Sequence, residues 1–177
     1  MIVRVLPVAA VTLLLAACGG ASSSDSTSAS ASTSAASAAT GLPDDALVMY
    51  AFQDSSVPPP YHRSVTLTVT KEQAHIVIDS YGDVLADERV ATPAAAWNEL
   101  GATIDSLTGL TVANSAEGCT GGTSISLTVT SGGQELVTLD PEFCGGANAE
   151  LEAPIAAWIA PARDLFPPTS ELAPEGE

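Results

Sequence analysis

The chain has 177 residues, with 21 acidic and 5 basic side chains and a formal net charge of −16 at pH 7. This length allows one ordinary domain with appendages, and this charge argues against nucleic acid as a partner, because phosphate binding requires a basic patch. Apolar residues make up 46% of the chain, and two stretches alternate Val, Leu and Ile with Thr and Ser. We therefore expect a folded core rather than a wholly disordered chain.

The amino terminus has the pattern of an export signal. Arg4 supplies a short positive region, and residues 5–17 are apolar but too few for a membrane-spanning helix, which needs about 20 residues. This region ends in Leu15-Ala16-Ala17, and Cys18 follows directly. This pattern resembles the lipobox of bacterial lipoproteins, in which a branched apolar residue and two small residues precede a cysteine. The alternative is an ordinary secretory signal followed by an incidental cysteine.

The resemblance implies that a signal peptidase removes residues 1–17 and that the sulfur of Cys18 carries a diacylglyceryl group, with a further acyl chain such as palmitate on the new amino group. Two or more acyl chains give durable anchoring, at about 0.8 kcal/mol for each buried CH₂. We therefore expect a lipoprotein on the extracytoplasmic face of the cell membrane. Loss of Arg4 leaves a net charge of about −17, so anionic headgroups repel the domain and the lipid must hold it.

Two polar appendages flank the predicted domain at 42–168. Residues 18–41 are rich in Ser, Ala and Thr and have no apolar periodicity, so they cannot bury enough surface to offset their ordering entropy. We predict a flexible linker that spans roughly 25 Å on average and about 80 Å when stretched. Transient helix in its Ala runs is the alternative, and its Ser and Thr content permits O-glycosylation. Residues 169–177 are predicted to be a disordered acidic tail.

The predicted domain contains an internal repeat. The segment SVTLTVT at 64–70 matches SISLTVT at 124–130, and TPAAAW at 92–97 matches APIAAW at 153–158 at nearly the same offset. Matches in the same order at one offset favour duplication. Convergence from similar local structure is the alternative.

Each half of the repeat, at about 64–110 and 119–166, has the pattern of two strands followed by a helix. Apolar residues alternate with Thr or Ser in the first strand, and Lys71-Glu72-Gln73 or Ser131-Gly132-Gly133 supplies the turn. A third strand is possible from Val84 to Ala91. We predict an α+β fold, a two-layer sandwich of a mainly antiparallel sheet with two helices on one face, built from a ββα-type repeat.

The two predicted helices have recognisable beginnings. Thr92 is the predicted N-cap of the first helix, with Pro93 in its first turn, where a missing N–H does no harm. Pro154 is predicted to begin the second helix, and Pro161 to weaken or kink it. Each helix contains one tryptophan, which we expect in the core between sheet and helices. Stacking of a ligand on either ring is the alternative.

Two cysteines remain after the lipobox. Cys119 and Cys144 form an even pair in an exported, oxidising setting and flank the second hairpin, so antiparallel pairing brings them together. We predict a disulfide, which stabilises by roughly 3–4 kcal/mol on the chain-entropy model. Two cysteines without a neighbouring histidine make a poor metal site, and their spacing differs from the redox Cys-x-x-Cys motif.

The residue types needed for catalysis are sparse. No serine-hydrolase or zinc-protease motif occurs, and we expect no cofactor. Asp79, Asp83 and Asp87 are weak candidates for calcium binding, because carboxylates in a turn can supply several oxygens. A solvated turn is the alternative. A hydrolase that uses Asp79 and Asp83 would need both carboxylates in one cleft within about 10 Å.

The most distinctive segment is VPPPYHR at 57–63. Its three prolines stiffen an extended chain that ends in Tyr61, His62 and Arg63. It either presents these three side chains to a partner or only leads the chain into the first strand. We expect a non-enzymatic binding module of the cell envelope, whose partner is an envelope protein or cell-wall component. The alternatives are a carboxylate-dependent envelope hydrolase and an inhibitor module that presents its sheet face to an enzyme.

Overall fold

The computed structural model describes residues 41–113 and 121–176. Cys18, the predicted lipidation residue, and Cys119, one of the predicted disulfide cysteines, lie outside those ranges. The strands are β1 (Leu47–Gln53), β2 (Ser64–Val69), β3 (Gln73–Ser80), β4 (Asp83–Ala91), β5 (Thr123–Ser131), β6 (Gln134–Leu139) and β7 (Glu142–Phe143). The helices are α1 (Ala94–Thr103), α2 (Asp105–Thr108), α3 (Ala149–Arg163) and α4 (Thr169–Leu172), with a 3-10 helix at Pro59–Tyr61.

The strands form one antiparallel sheet in the order β4-β3-β2-β1-β5-β6, and β7 pairs with the start of β5. This confirms the α+β class with an antiparallel sheet. Alternate residues of β2, β3 and β5 are buried and share one hydrophobic core with residues of α1 and α3. Both tryptophans, Trp97 and Trp158, belong to this core, as predicted. The largest fully buried side chains include Leu67, Ile76, Ile78, Leu100, Leu127 and Ile155.

The strand at the centre of the sheet, β1, was not predicted from the sequence. It reads LVMYAFQ and has apolar residues on both of its faces, so it lacks the alternation that marked β2 and β5. Val48 lies in the core, whereas Met49 is exposed on the opposite face. Pairing of Val48 with both Val69 and Val129 gives β1 its central place.

The two hairpins of the sequence repeat leave β1 in opposite directions. β2 and β5 both pair antiparallel with β1, and β3 and β6 lie outside them. Leu67 and Leu127, which match in the repeat, are both buried, so the hairpins keep the same core face. Along a strand, the backbone N–H and C=O groups of successive residues point to alternate sides. β3 and β6 pair with opposite sides of otherwise equivalent strands, so with the same face buried the second turn must lie one residue later in the repeat. The first turn follows Thr70, whereas the second follows Ser131, and Leu136 is left out of the β5–β6 register as a bulge.

The first helix begins one residue later than the predicted cap implied. Pro93 is the N-cap of α1, and its carbonyl oxygen accepts a hydrogen bond from the backbone N–H of Trp97. No side chain caps this helix, and Thr92 Oγ1 is buried without a hydrogen-bond partner. The prediction of Thr92 as N-cap is therefore wrong, because proline itself adopts the extended geometry that precedes the first helical turn.

The second long helix is longer than predicted. It begins at Ala149, before Pro154, and continues through Pro154 and Pro161 to Arg163. Each interior proline removes one backbone hydrogen bond. A stripe of buried apolar side chains offsets this loss by packing into the core. Its members are Leu151, Ile155, Trp158, Ile159 and Ala162.

The segment that enters the domain, residues 41–46, forms a strap across α1. Its backbone touches Gly101 so closely that a Cβ there would lie 2.4 Å from the backbone nitrogen of Leu42. Leu42 is buried, and Asp44 forms an ion pair of 2.6 Å with Lys71 in the β2–β3 turn. The strap is therefore held against the end of the sheet where the two hairpin turns lie.

Up to residue 176 the segment after α3 has a defined structure, whereas a disordered tail was predicted for 169–177. It forms α4, and Ala173 is buried. The Arg63 guanidinium donates to the carbonyl oxygen of Ala173 at 2.8 Å and also to that of Pro174. The backbone N–H of Gly176 donates to the carbonyl oxygen of Pro60. Composition alone predicted a frayed tail. It could not show these contacts, because the two partners of each lie more than 100 residues apart in the sequence.

Candidate binding surface

The sheet has two distinct ends, which we name by their relation to the strap. The proximal end carries the strap and the β2–β3 and β5–β6 turns. The distal end carries the β3–β4 turn, the 3-10 helix and the C-terminal segment that Arg63 holds. β1 runs from the proximal to the distal end, from Leu47 to Gln53, a span of about 20 Å at strand rise.

Of the three side chains predicted to meet a partner, one is exposed. Tyr61 is 53% exposed, whereas His62 and Arg63 are 4% and 9% exposed. The Arg63 guanidinium is occupied by backbone carbonyl oxygens, including that of His62 at 2.7 Å. His62 and Arg63 are therefore not presented at the surface as predicted, because contacts with the Tyr81 ring and with the carbonyl oxygen of Ala173 bury their side chains.

At the distal end, Tyr81 is exposed where His62 and Arg63 were expected to be. Its ring stacks on the buried ring of His62, with centroids 3.9 Å apart. Its hydroxyl donates to the carbonyl oxygen of Val57 at 2.6 Å, and Ser80 Oγ donates to that of Pro59 at 2.8 Å. These contacts join the proline segment and the β3–β4 turn into one unit, in which one ring face of Tyr81 is packed while the residue is still 56% exposed.

Exposed apolar side chains gather around this unit. The described part of the chain has six large apolar or aromatic residues with exposed side chains, and four belong to this unit or directly follow its turn. We call these four the distal corner: Tyr61, Tyr81, Val84 at 61% exposure and Leu85 at 43% exposure. Leu85 is left out of the β3–β4 register as a bulge, and bulges re-aim side chains at sheet edges.

The predicted acidic residues do not form one site. Asp79 accepts a hydrogen bond from the backbone N–H of Gly82 at 2.8 Å and so stabilises the β3–β4 turn. Asp87 Oδ1 accepts from His75 Nε2 at 2.9 Å and from Arg89 Nη1 at 2.7 Å. Within 41–113 and 121–176, no group of three or more His, Cys, Asp or Glu side chains is arranged to hold a metal ion.

The four basic residues that follow the signal segment are all engaged within the domain. Two form ion pairs with carboxylates, and two donate to backbone carbonyl oxygens around the C-terminal segment. They are Lys71, Arg89, Arg63 and Arg163. Their charges are committed to contacts within the chain, so the remaining carboxylates leave the surface strongly acidic.

Among the described residues, the pKa values of Asp45 and Tyr50 are shifted from their ordinary values, and both groups belong to the scaffold. Hydrogen bonds from the Ser131 hydroxyl and the Gly132 backbone N–H lower the pKa of Asp45, which links the strap to the β5–β6 turn. Burial, with a smaller contribution from the charge of Glu152, raises the pKa of Tyr50 above its ordinary value of 10.0. Neither group faces the distal corner.

The sheet face away from the core is neutral along its three central strands. Met49, which is exposed, pairs with Thr68 on one side and Thr128 on the other. The next row of the same face is Thr66, Ala51 and Ser126. Short hydroxyl side chains thus surround a few apolar ones, without a charged group on β1, β2 or β5.

Among the clefts that the described residues form, two lie against α1. One of about 440 Å³ lies between the strap and α1 and is lined by Leu42, Lys71 and Trp97. The indole N–H of Trp97 is buried without a partner. Another of about 340 Å³ is lined by Glu99 of α1 and by Pro154 and Pro161 of α3, among others. Asp79 and Asp83 line neither cleft.

Cys144 is disulfide-bonded in the structure, and its predicted partner, Cys119, lies outside the described residues.

A buried asparagine, Asn148, holds the segment before α3 in place through three hydrogen bonds. Asn148 accepts a hydrogen bond from the backbone N–H of Ala113 and donates to the carbonyl oxygens of Ala113 and Glu142. Its backbone is left-handed, with φ of 59°, a conformation that asparagine tolerates better than most residues.

No protein-family model matches this chain, and no curated protein matches it significantly. Within the described ranges, no helix has both the length and the hydropathy needed to cross a membrane.

Sequence reasoning missed three members of the distal corner as partner-binding residues. A usable signal was present: Val84 and Leu85 are adjacent apolar residues in a strand otherwise rich in charges, directly after the Tyr81-Gly82 turn. In a half-buried strand, adjacent apolar residues place one of them on the solvent side.

Proposed function

We propose that this protein is a lipid-anchored, extracytoplasmic binding module of the cell envelope, held at the membrane through Cys18. The observation that carries the proposal is the separation of two features. The chain enters the domain at the proximal end of the sheet, whereas the exposed aromatic and apolar side chains of the distal corner lie at the other end.

Charge supports the same arrangement. The domain is acidic and all its basic groups are engaged internally, so anionic headgroups repel it. A domain repelled by the surface that anchors it stands off on its linker. The distal corner, at the end of the sheet opposite the strap, then faces potential partners in the envelope.

We also propose the finer architecture expected from the sequence, a two-layer sandwich with helices on one sheet face and a ββα pattern in each half. The shared core of α1, α3 and the sheet supports the two layers. The two hairpins extend from β1 in opposite directions. If β2 is superposed on β5 with the same face buried, β3 and β6 fall on opposite sides, so the hairpins are not rigid copies of each other. This favours a repeat of local structure.

Mass spectrometry of the native protein tests the anchor. We expect the mature chain to begin at Cys18 with a diacylglyceryl group on its sulfur, and the Cys18→Ser variant to lose the lipid and leave the membrane fraction. Ser22→Ala, a neighbouring spacer change, should leave lipid and fractionation unchanged. An unmodified native amino terminus, or equal membrane association of Cys18→Ser and the native protein, would refute the anchor.

The second candidate is an inhibitor module that presents its sheet to an enzyme. The specific observation in its favour is the neutral, exposed sheet face around Met49. An uncharged face is where an acidic protein can approach another surface with the least repulsion. If this candidate is correct, Met49→Arg should abolish inhibition of the target enzyme while Leu136→Arg, an exposed position on the outer strand β6, should not.

A further inference from the structure

We propose that the distal corner and the free edge of β4 bind an extended cationic segment of a protein partner, which adds to the sheet as a strand beside β4. This inference deepens the proposed function as a binding module and rests on it.

The edge supplies the main-chain part of the interaction. β4 has nine residues and, among the described strands, pairs only with β3. A strand at a sheet edge presents unpaired N–H and C=O groups that an extended chain can satisfy. At the other edge β6 has six residues, so β4 offers the longer ladder.

The corner supplies apolar anchors next to that ladder. Val84 and Leu85 lie in the first half of β4, and both are exposed. Tyr81 is preorganised by its stack on His62 and its hydrogen bond to Val57, so it loses little conformational freedom when a partner binds. At the opposite edge Leu136 is the one large apolar side chain of β6 that is exposed.

The negative charge of β4 favours a positively charged partner segment. Asp83, Asp87 and Glu88 lie on β4, and the single cation of the strand, Arg89, is already paired with Asp87. Cross-strand pairs of opposite charge stabilise a sheet, whereas like charges directly opposite destabilise it. The exposed tyrosine rings add faces on which a Lys or Arg side chain can stack. These features favour a segment that combines cationic and apolar residues.

Photo-cross-linking in the native host tests the proposal with the full-length protein. A benzophenone amino acid replaces Val84, and matched probes replace Met49 on the sheet face and Leu136 on the opposite edge. We expect a specific cross-link at 84, and mass spectrometry of the linked peptide should identify a segment with net positive charge. A synthetic copy of that segment should compete, and a copy with proline at alternate positions should not, because proline lacks the N–H that a ladder needs.

A charge variant provides the second arm. Asp83→Lys should lower the cross-link yield at 84 about fivefold, whereas Glu135→Lys on β6 should leave it unchanged. Circular dichroism confirms that both variants fold. The inference is overturned by no cross-link at 84, equal yields at 49 or 136, a linked segment with net negative charge, or equal competition by the proline copy. Lipid on Cys18 is measured on the same samples, so failure of the anchor and failure of this surface are distinguishable.

Discussion

The indole Nε1 of Trp158 donates a hydrogen bond to the backbone carbonyl oxygen of Leu100 at 3.1 Å and joins α3 to α1 across the core. The matching tryptophan of the repeat, Trp97, is equally buried, but its indole N–H has no partner. We therefore expect two residues that look equivalent in the sequence to contribute differently to the free energy of unfolding.

Replacement of each tryptophan by phenylalanine measures this difference. Trp158→Phe removes a buried hydrogen bond and apolar contact, so we expect a loss of about 1–3 kcal/mol in the free energy of unfolding. Trp97→Phe is the matched control and should cost less, because it also removes an unpaired buried donor. Urea denaturation with unchanged m-values provides the measurement. An equal or larger loss for Trp97→Phe would contradict the assignment.

The Arg63 guanidinium should be required for order in the C-terminal segment. Arg63→Lys replaces a planar fork with a single ammonium group that cannot serve Ala173 and His62 together. We expect a loss of about 1–3 kcal/mol and faster proteolysis after residue 168. Arg89→Lys, which alters an exposed ion pair, should cost less than about 0.5 kcal/mol. Equal protease sensitivity of the two variants would show that Arg63 does not hold the segment.

Gly101 should be the least tolerant glycine of the helical layer. A Cβ at this position would lie within 3 Å of backbone atoms of Gly41 and Leu42, so Gly101→Ala must displace the strap. Overpacking of this kind costs about 1–3 kcal/mol. Gly109→Ala has open space around the new methyl group and should change stability by less than about 0.5 kcal/mol. Thermal unfolding compares the two, and similar melting temperatures would argue against a fixed strap.

Tyr50 should make the protein sensitive to alkali. Burial raises its pKa in the folded state above 10.0, so the folded protein holds the proton more tightly than the unfolded chain. Its contribution is fully present below pH 10.0 and declines as pH rises through the raised pKa of the folded state. Tyr50→Phe should flatten the loss of stability above this pH in urea titrations at several pH values. An unchanged slope would mean that another group causes the alkaline loss.

The disulfide at Cys144 is predicted to pair with Cys119. Peptide mapping without reduction should recover the two cysteines in one linked peptide, and the bond should account for roughly 3–4 kcal/mol of stability on the chain-entropy model. Cys119→Ser and reduction of the native protein should lower the melting temperature by the same amount. A linked peptide that joins Cys144 to a second copy of the chain would replace this assignment with an intermolecular one.

Local patterns predicted much of the secondary structure. Strict alternation marked β2 and β5, turn residues marked both hairpins, and Pro93 marked the beginning of α1. They failed at β1, where apolar residues occupy both faces, and at the start of α3, where burial offsets two interior prolines. In both places the deciding contacts are made with distant parts of the chain.

The candidate surface divides in the same way. The sequence singled out Tyr61, which is exposed, together with His62 and Arg63, which are buried. Exposure of one and burial of the others depends on Tyr81 and Ala173, which lie far along the chain. A pattern of neighbouring residues in the sequence does not reveal contacts with residues this far along the chain, so the distal corner could be recognised only in the folded structure.

The amino-acid sequence by itself determined the elements whose causes are local: the lipobox-like segment, two hairpins with their turns, and the presence of two long helices. Periodicity and turn chemistry act within a few residues, so they can be recognised without a fold. The tertiary structure decided which strand is central, in which direction each hairpin leaves it, and which polar side chains are buried. Those outcomes depend on strand pairing and hydrogen bonds between residues distant along the chain, and only the folded chain brings such residues together.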